Sequence, residues 1–447
     1  MWRDADFRRL WAGQAVSQLG EHASLVIVPL FAVVTLHASA GQLGVLRAVG
    51  QAPVLLLSLP AGAWVDRWRA RTAMAWADAG RALVLAGAAV AGWWGSLAMG
   101  ALLVVVFAAG ALSVVFDVAY QAAVVRLVER DRLVAGNSAL EGSRSAAQIA
   151  GPALGGALVS LLSVPVAAAA GALSFAVSFL SLRRIRRPEP VPERAGDAAG
   201  AWRRMGRGVR FVAGDAALRA VCVASAAYQF SFAAMMTVYL LFLPRQLHLP
   251  GVVVGVVLAA SGPGALAGSL LAARAPARFG YGVVLVGGAA LGDGVFCCVP
   301  ALHGPPVVVA GVLVVVGFVF GLGAQLVNVT VMAVRQAVTP PAVQGRTAAT
   351  ISFVGMGMAP LGSLLGGFLA HAWGLRAGLM VAAVAMLVSP AVMALSPLGR
   401  LGRVLPAPVP VPLARASAPV PAVPAAGSAV GAVPRRRGAE GGGGGST

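Results

Sequence analysis

Glu21 sits inside the largely apolar stretch from Phe7 to Leu36. A helix rises about 1.5 Å per residue, so counting from Phe7 brings Glu21 near the centre of a bilayer. An ionisable side chain at that depth is costly and is by default a candidate for function. A carboxyl that alternates between a dry and a wetted setting can take up a proton on one side and release it on the other. The same carboxyl can instead be held by a polar neighbour for packing alone. His22 is adjacent, but neighbouring helical positions face different directions. Asp78 and Arg81 stand three apart on one helix face, and Glu141 and Arg144 repeat that spacing. Each of these two intramembrane pairs can neutralise itself locally. Arg47 has no such local partner: it can reach Glu21, contact an anionic substrate, or snorkel to the interface. Asp293, also within an apolar run, reads as structural. Gln18, Gln51, Tyr228, Gln229, Gln325 and Asn328 are polar positions in apolar runs. They are candidates for lining a substrate pocket, or for hydrogen bonds between helices.

No catalytic constellation accompanies these residues, and the chain does not read as an enzyme. The sequence contains no Lys, and hence no Gly-x-x-x-x-Gly-Lys phosphate loop, so ATP is not expected to drive work within this chain. The five histidines form no zinc motif, and neither a metal nor a cofactor is expected. The remaining energy source is an ion gradient. One charge is worth about 2.3 kcal/mol per 100 mV, enough for a proton to sustain roughly a 50-fold gradient at about 1.4 kcal/mol per tenfold.

The elements that must position these groups are membrane helices. Of 447 residues, 59% are hydrophobic and 11% charged. A soluble chain cannot cover itself with so little polar surface. The apolar runs also approach the 20 or so residues needed to span hydrocarbon. Twelve spans are expected, at about 7–36, 41–65, 72–92, 96–121, 136–162, 164–183, 217–244, 250–274, 280–300, 305–334, 346–371 and 375–397. The first is too long for a signal-peptide core and lacks a cleavage pattern. The net charge of +19 does not imply nucleic acid, because the Arg residues sit between the apolar runs. Arg67, Arg69, Arg71, Arg126, Arg130, Arg132, the group from Arg183 to Arg210, Arg274, Arg278, Arg335 and Arg346 occupy alternate loops. The opposite loops hold Arg245 and Arg376. This bias places both termini in the cytoplasm. Cys222, Cys297 and Cys298 read as small buried residues inside spans.

Two motifs have a mechanical rationale. Gly62-Ala63-Trp64-Val65-Asp66-Arg67-Trp68-Arg69-Ala70-Arg71 is a tight turn with one acid among guanidinium groups. Such charges can pair when helix ends pack and separate when they open, which makes a latch. Gly151 and Pro152 with Gly155 and Gly156 clear side chains from a helix face, so that helices can approach closely, and Pro152 favours a bend. The second half repeats parts of the first. Span 11 contains Met358-Ala359-Pro360 followed by Gly366 and Gly367, as span 5 contains Ala150-Gly151-Pro152 followed by Gly155 and Gly156, and Gln229 corresponds to Gln18 at nearly the same separation. Six plus six spans around a central loop is an arrangement of transporters built from repeats.

These motifs resemble the major facilitator superfamily, in particular its bacterial exporters of the enterobactin-exporter and macrolide-efflux type. The resemblance covers roughly residues 7–397. It includes Phe7-Arg8-Arg9-Leu10-Trp11, Ser17-Gln18-Leu19-Gly20, the Asp66 signature with Asp78 and Arg81 after it, Leu133 to Leu140, and Gly151 to Gly156 as the antiporter motif of span 5. The sequence departs from the pattern at Val125 and Ala147, and the second-half counterpart of the Asp66 signature, Arg274 to Gly280, has no acid. The resemblance implies an all-α membrane protein of twelve helices in two pseudo-symmetric six-helix bundles, the major facilitator fold. Residues 1–183 form the first bundle, 184–216 a cytoplasmic central loop, 217–403 the second bundle and 404–447 a disordered cytoplasmic tail. The stretch from Trp202 to Phe211 is either an amphipathic helix on the inner leaflet or a solvated linker. It further implies a cytoplasmic gate in which Asp66 faces a helix N-terminus of the other half and an Arg of the loop, Arg67 or Arg71, reaches Asp117. The expected activity is proton-coupled efflux of an amphipathic small molecule, a drug, antibiotic or siderophore, by alternating access, from a monomer in the inner (plasma) membrane. The expected partners are that substrate, protons and membrane lipids, with no nucleic acid. An importer of the same fold, or a membrane sensor or scaffold without transport, are the alternatives.

Overall fold

In hydrocarbon every backbone N–H and C=O must be satisfied within the chain, which favours helices. The computed structural model describes residues 4–65, 68–127, 133–185, 209–340 and 344–404, and among these every regular element is helical. Among the described residues twelve long helices can be followed, besides short ones at 209–214 and Ala275–Phe279. The first bundle holds α1 (Ala5–Leu30, continued by a wider turn over Phe31–Thr35), α2 (Ala40–Val65), α3 (Ala70–Trp93), α4 (Met99–Leu127), α5 (Leu133–Leu161) and α6 (Val164–Arg183). The second holds α7 (Ala216–Arg245), α8 (Gly251–Ala259 and Ser261–Ala272), α9 (Tyr281–Gly294, tightening into a 3-10 turn over Val295–Ala301), α10 (Pro306–Val338), α11 (344–373) and α12 (375–395). Gly374, at φ 81°, ends α11 and lets α12 fold back, so that Gly378 lies against Ala370.

Each expected span coincides with one of these helices. Ten stretches among the described residues are long and apolar enough to cross a membrane. That number falls short of twelve because α11 and α12 run together as Thr347–Leu395, and because α5 is polar in its first half, where Glu141, Ser143, Arg144, Ser145 and Gln148 fall. Cys298 departs from expectation: it is exposed on the helix surface, and Cys222 and Cys297 are half-buried. Most of the central loop and nearly all of the tail lie outside the described residues.

The starts of α1 and α7 and the end of the described chain share one face, the terminus face. Asp4 caps α1, accepting from the Asp6 backbone N–H at 2.9 Å, and Asp215 caps α7, accepting from that of Leu218 at 2.8 Å. At the opposite, distal face both helices end alike. His37 (φ 50°) and His248 (φ 53°) adopt left-handed backbone at equivalent positions. Ala38 and Leu249 then donate back to Ala32 and Leu243.

The bundles join in their distal halves. One hydrophobic cluster runs through both, including Leu30, Phe31, Leu43, Met235, Leu241, Val254, Leu313 and Leu379. Toward the terminus face it divides into separate cores, Leu10, Met74, Phe116 and Leu182 in one bundle and Leu218, Leu285, Val338 and Met393 in the other. Two seams close the distal half. In one, α2 meets α11: a Cβ added to Gly44 would stand 2.8 Å from the Ser363 carbonyl oxygen and 3.0 Å from Gly367 Cα. In the other, α5 meets α8, where a Cβ on Gly156 would run into the Gly251 carbonyl oxygen and Gly255 Cα. Arg245 adds a hydrogen bond across the bundles, donating to the Ala38 carbonyl at 2.6 Å.

Gly44→Leu cannot fit this seam without separating α2 from α11. In a variant freed of its three native cysteines and carrying Cys at position 41, Gly44→Leu should speed maleimide labelling in detergent several-fold. An unchanged rate would mean that the seam does not depend on the close approach.

Candidate functional site

A charge cluster occupies the first bundle. Arg81 on α3 is almost wholly buried, with 1% of its side chain exposed, and Asp78, one turn earlier, is at 0%. Arg81 Nη2 donates to Asp78 Oδ1, and Nη1 lies 3.5 Å from Glu21 Oε2 on α1 and donates to Ser113 Oγ on α4 at 3.2 Å. The guanidinium is held between two rings, 4.5 Å from the centre of Phe116 and 4.2 Å from that of Phe175. Stacking of this kind favours Arg, with its flat delocalised charge, over Lys. Residues from four helices, α1, α3, α4 and α6, therefore converge on one cation. The sequence reading had Asp78 and Arg81 as a self-contained pair, and it offered Arg47 as a partner for Glu21. The structure instead joins Glu21 to Arg81. A three-residue spacing cannot reveal that partner, which comes from another helix.

Arg47 makes no ion pair with Glu21, and its buried Nε has no hydrogen-bond partner among the described residues. Asp117 on α4 is near enough to Glu21, Arg81 and Arg144 to feel their charges. Glu141 and Arg144 pair at 3.2 Å on an exposed face of α5, as the spacing suggests. Of the expected gate, Asp66 and Arg67 lie outside the described residues. Arg71 donates to the Ile185 carbonyl beyond the end of α6 at 2.8 Å.

The glycine motif of α5 serves two contacts. A Cβ on Gly151 would stand 2.5 Å from His22 Cβ, and one on Gly155 would stand 2.5 Å from the Ala23 carbonyl oxygen. These glycines seat α5 against α1 immediately beside Glu21. Gly156 faces α8 in the other bundle.

A cavity of about 610 Å³ lies mainly in the second bundle, with α5 completing one wall through Ser145, Gln148 and Ile149. Its lining runs from Val221, Ser269, Val331 and Met393 near the terminus face to Tyr239, Val257 and Phe296 beneath the distal closure. Tyr228, Gln325 and Asn328 of the expected pocket residues line it; Gln18, Gln51 and Gln229 do not. Gln51 instead donates to Ser363 across the bundles at 3.3 Å, Gln229 packs beside Gly355, and Gln18 is half-buried in α1. The sequence reading omitted the other aromatic lining, Phe232, Tyr239, Phe296 and Phe320, because an aromatic in an apolar span carries no sign of whether it faces lipid, core or cavity.

Arg81→Ala should leave Asp78 buried and uncompensated. Breaking a buried pair in this way costs about 3–5 kcal/mol, so the variant should melt well below the parent protein, and adding Asp78→Asn should recover part of the loss. Equal melting of parent and single variant in thermal unfolding would show that the cluster carries no such energy.

Comparison with known proteins gives the family and the fold. The profile of a family described as transmembrane secretion effector, of the major facilitator type, matches residues 2–408. The multidrug efflux pump Tap of Mycobacterium tuberculosis, and the same protein of Mycobacterium bovis, are 28% identical over 390 residues, covering 82% of this chain and 87% of that protein. Among solved structures, a bacterial homologue of the lysosomal transporter Spinster, inward-facing and occupied, aligns with TM-score 0.70 at 13% identity, over 88% of this chain and 96% of that one. A bacterial homologue of the iron transporter ferroportin, inward-facing, aligns with TM-score 0.68 at 16% identity, over 87% and 97%. The nucleoside transporter NupG aligns with TM-score 0.68 at 15% identity, over 87% and 98%.

Proposed function

Because this chain belongs to the transmembrane secretion effector family of the major facilitator superfamily, and is thus a multi-pass membrane transporter, we propose that it exports an amphipathic small molecule by alternating access, driven by protons. The observation that carries this reading is the pairing of a sealed distal half with a cavity lying beneath the seal. That is one of the two end states an alternating-access carrier must visit. The likeness to Tap supports export over import.

We place the protein in the plasma membrane as a monomer surrounded by lipid. The Arg bias of the loops puts the terminus face in the cytoplasm, which makes this conformation inward-facing. The division follows the two bundles, 1–183 and 217–403, joined by the loop 184–216 and followed by the tail 404–447.

The proton would act at Glu21. Glu21, Asp78 and Arg81 bring two carboxylates to one guanidinium, so the group is balanced when one carboxyl holds a proton and carries excess negative charge when neither does. Asp78 is sealed from solvent while Glu21 is partly exposed, at 29% of its side chain. Glu21 is therefore the member a proton can reach. Neutralising it weakens the tie between α1 and α3, and α1 packs through His22 and Ala23 on the helix that forms the seam with the second bundle. Asp66, Arg67, Arg71 and Asp117 would supply the latch at the terminus face when the other state forms.

Glu21→Gln should abolish export driven by a pH gradient in everted vesicles while leaving ligand binding within about threefold of the parent, as expected for a group that couples without touching the ligand. Export that keeps its dependence on the gradient would remove Glu21 from coupling. Asp66→Asn should slow turnover by about tenfold or more with little change in apparent affinity, the signature of a conformational step. Normal turnover in that variant would refute the latch.

A further inference from the structure

The second bundle holds a buried acid that neither the packing nor the proton scheme uses. Asp293 ends α9 only 3% exposed. It makes no hydrogen bond or ion pair with any described residue, and it lines the cavity. Among the described residues that line the cavity, it is the only formally charged side chain. An isolated carboxylate in such surroundings is costly unless something completes it.

Beside it runs a continuous series of rings. Tyr228 stacks on Phe232 with centres 5.5 Å apart, and Phe232 on Phe320 at 5.5 Å. Phe320 meets Phe296 edge-on at 5.2 Å, and Phe296 meets Tyr239 at 5.5 Å. Tyr228 lies close enough to Asp293 to feel its charge. Ring faces attract cations and give flat apolar groups a stacking surface. The cavity, about 610 Å³, is of the size that holds a drug-sized molecule. Gln325 and Asn328 add neutral polar contacts on α10.

We propose that this cavity selects lipophilic organic cations, with Asp293 as the counter-ion and the rings from Tyr228 to Tyr239 as the apolar and cation–π surface. This rests on the export reading and names its substrate class. A monovalent cation bearing aromatic groups meets all three features at once. It neutralises Asp293, covers the rings, and finds no Arg in the lining to repel it.

The test is equilibrium binding to the full chain in detergent, with three probes of similar shape: tetraphenylphosphonium, neutral triphenylphosphine oxide and tetraphenylborate. The parent protein should bind the cation and discriminate against the neutral and anionic probes. Asp293→Asn should bind the cation about tenfold or more weakly, as for truncation of one member of a buried charge pair. Asp293→Glu should recover part of that affinity. A melting curve for each variant establishes that it is folded; should Asp293→Asn fail to fold, the comparison of the three probes on the parent and on Asp293→Glu still decides. The proposal is overturned if the folded parent protein does not bind tetraphenylphosphonium, if the neutral probe binds as well, or if a folded Asp293→Asn binds the cation unchanged. Those results would leave the export reading standing, since that reading is judged by gradient-driven transport and the Glu21 variant in vesicles.

Discussion

Close backbone contact at glycine holds this molecule together. Lipid is as apolar as leucine, so helices in a bilayer gain nothing from merely burying apolar surface against one another; they gain from packing and from hydrogen bonds. Here the packing is concentrated where side chains are missing. α5 uses Gly151 and Gly155 to reach α1 and Gly156 to reach α8. α11 does the same with Gly362 and Gly366 against Phe230 and Ala234 of α7, and with Gly367 against Ala40 and Gly44 of α2. The pairs 23/234, 44/255, 151/362, 155/366 and 156/367 share one offset along the chain, as do the left-handed histidines 37 and 248. The repeat therefore extends from sequence motif to individual backbone contact.

On that common frame the halves have diverged. At the same offset, Glu21 corresponds to Phe232, Asp78 to Ala289, Arg81 to Gly292 and Asp66 to Ala277. Each of these four ionic groups thus meets an apolar or absent side chain in the second bundle. Where Arg81 stands between Phe116 and Phe175 in one bundle, Gly292 in the other lies directly against Gly323 of α10, and the cavity with its aromatic wall belongs mainly to that second bundle. A pseudo-symmetric fold need not have symmetric chemistry.

Much of the fold was legible because hydrophobic run length, Arg placement and glycine motifs are all local signals. Helix positions followed from runs of about the right length, and the repeat from Gly155-Gly156 against Gly366-Gly367. The site was legible only in part. Its charged members stood out because acids and arginines are rare in spans. Their partnerships did not, since Glu21 and Arg81 meet only through the packing of α1 on α3 and α6. Asp293 read as structural because the resemblance to the superfamily implies a peripheral ninth span, whereas Asp293 lines the cavity together with residues of α7 and α10. The break at Ala260 was hidden for a further reason: a bend within an apolar run leaves its hydropathy unchanged, whereas the break at Gly374 falls in the link expected between spans 346–371 and 375–397.

α5 is where the charge cluster and the cavity come together. Its glycines hold α1 one residue beyond Glu21, and its side chains Ser145, Gln148 and Ile149 form the wall that the first bundle contributes to the cavity. Ile149 also abuts Gly262 of α8, at the point where the seam gives way to open space. In the proposed scheme a change in the charge cluster would displace α1, and α1 would carry α5 with it, because the backbones are so close that a Cβ added to Gly155 would stand 2.5 Å from the Ala23 carbonyl oxygen. An occupant of the cavity presses on the same helix from the other side. Linkage requires only that both events bias one element between two arrangements. Tightly packed backbones supply that element, since such contacts are either made or broken and do not stretch.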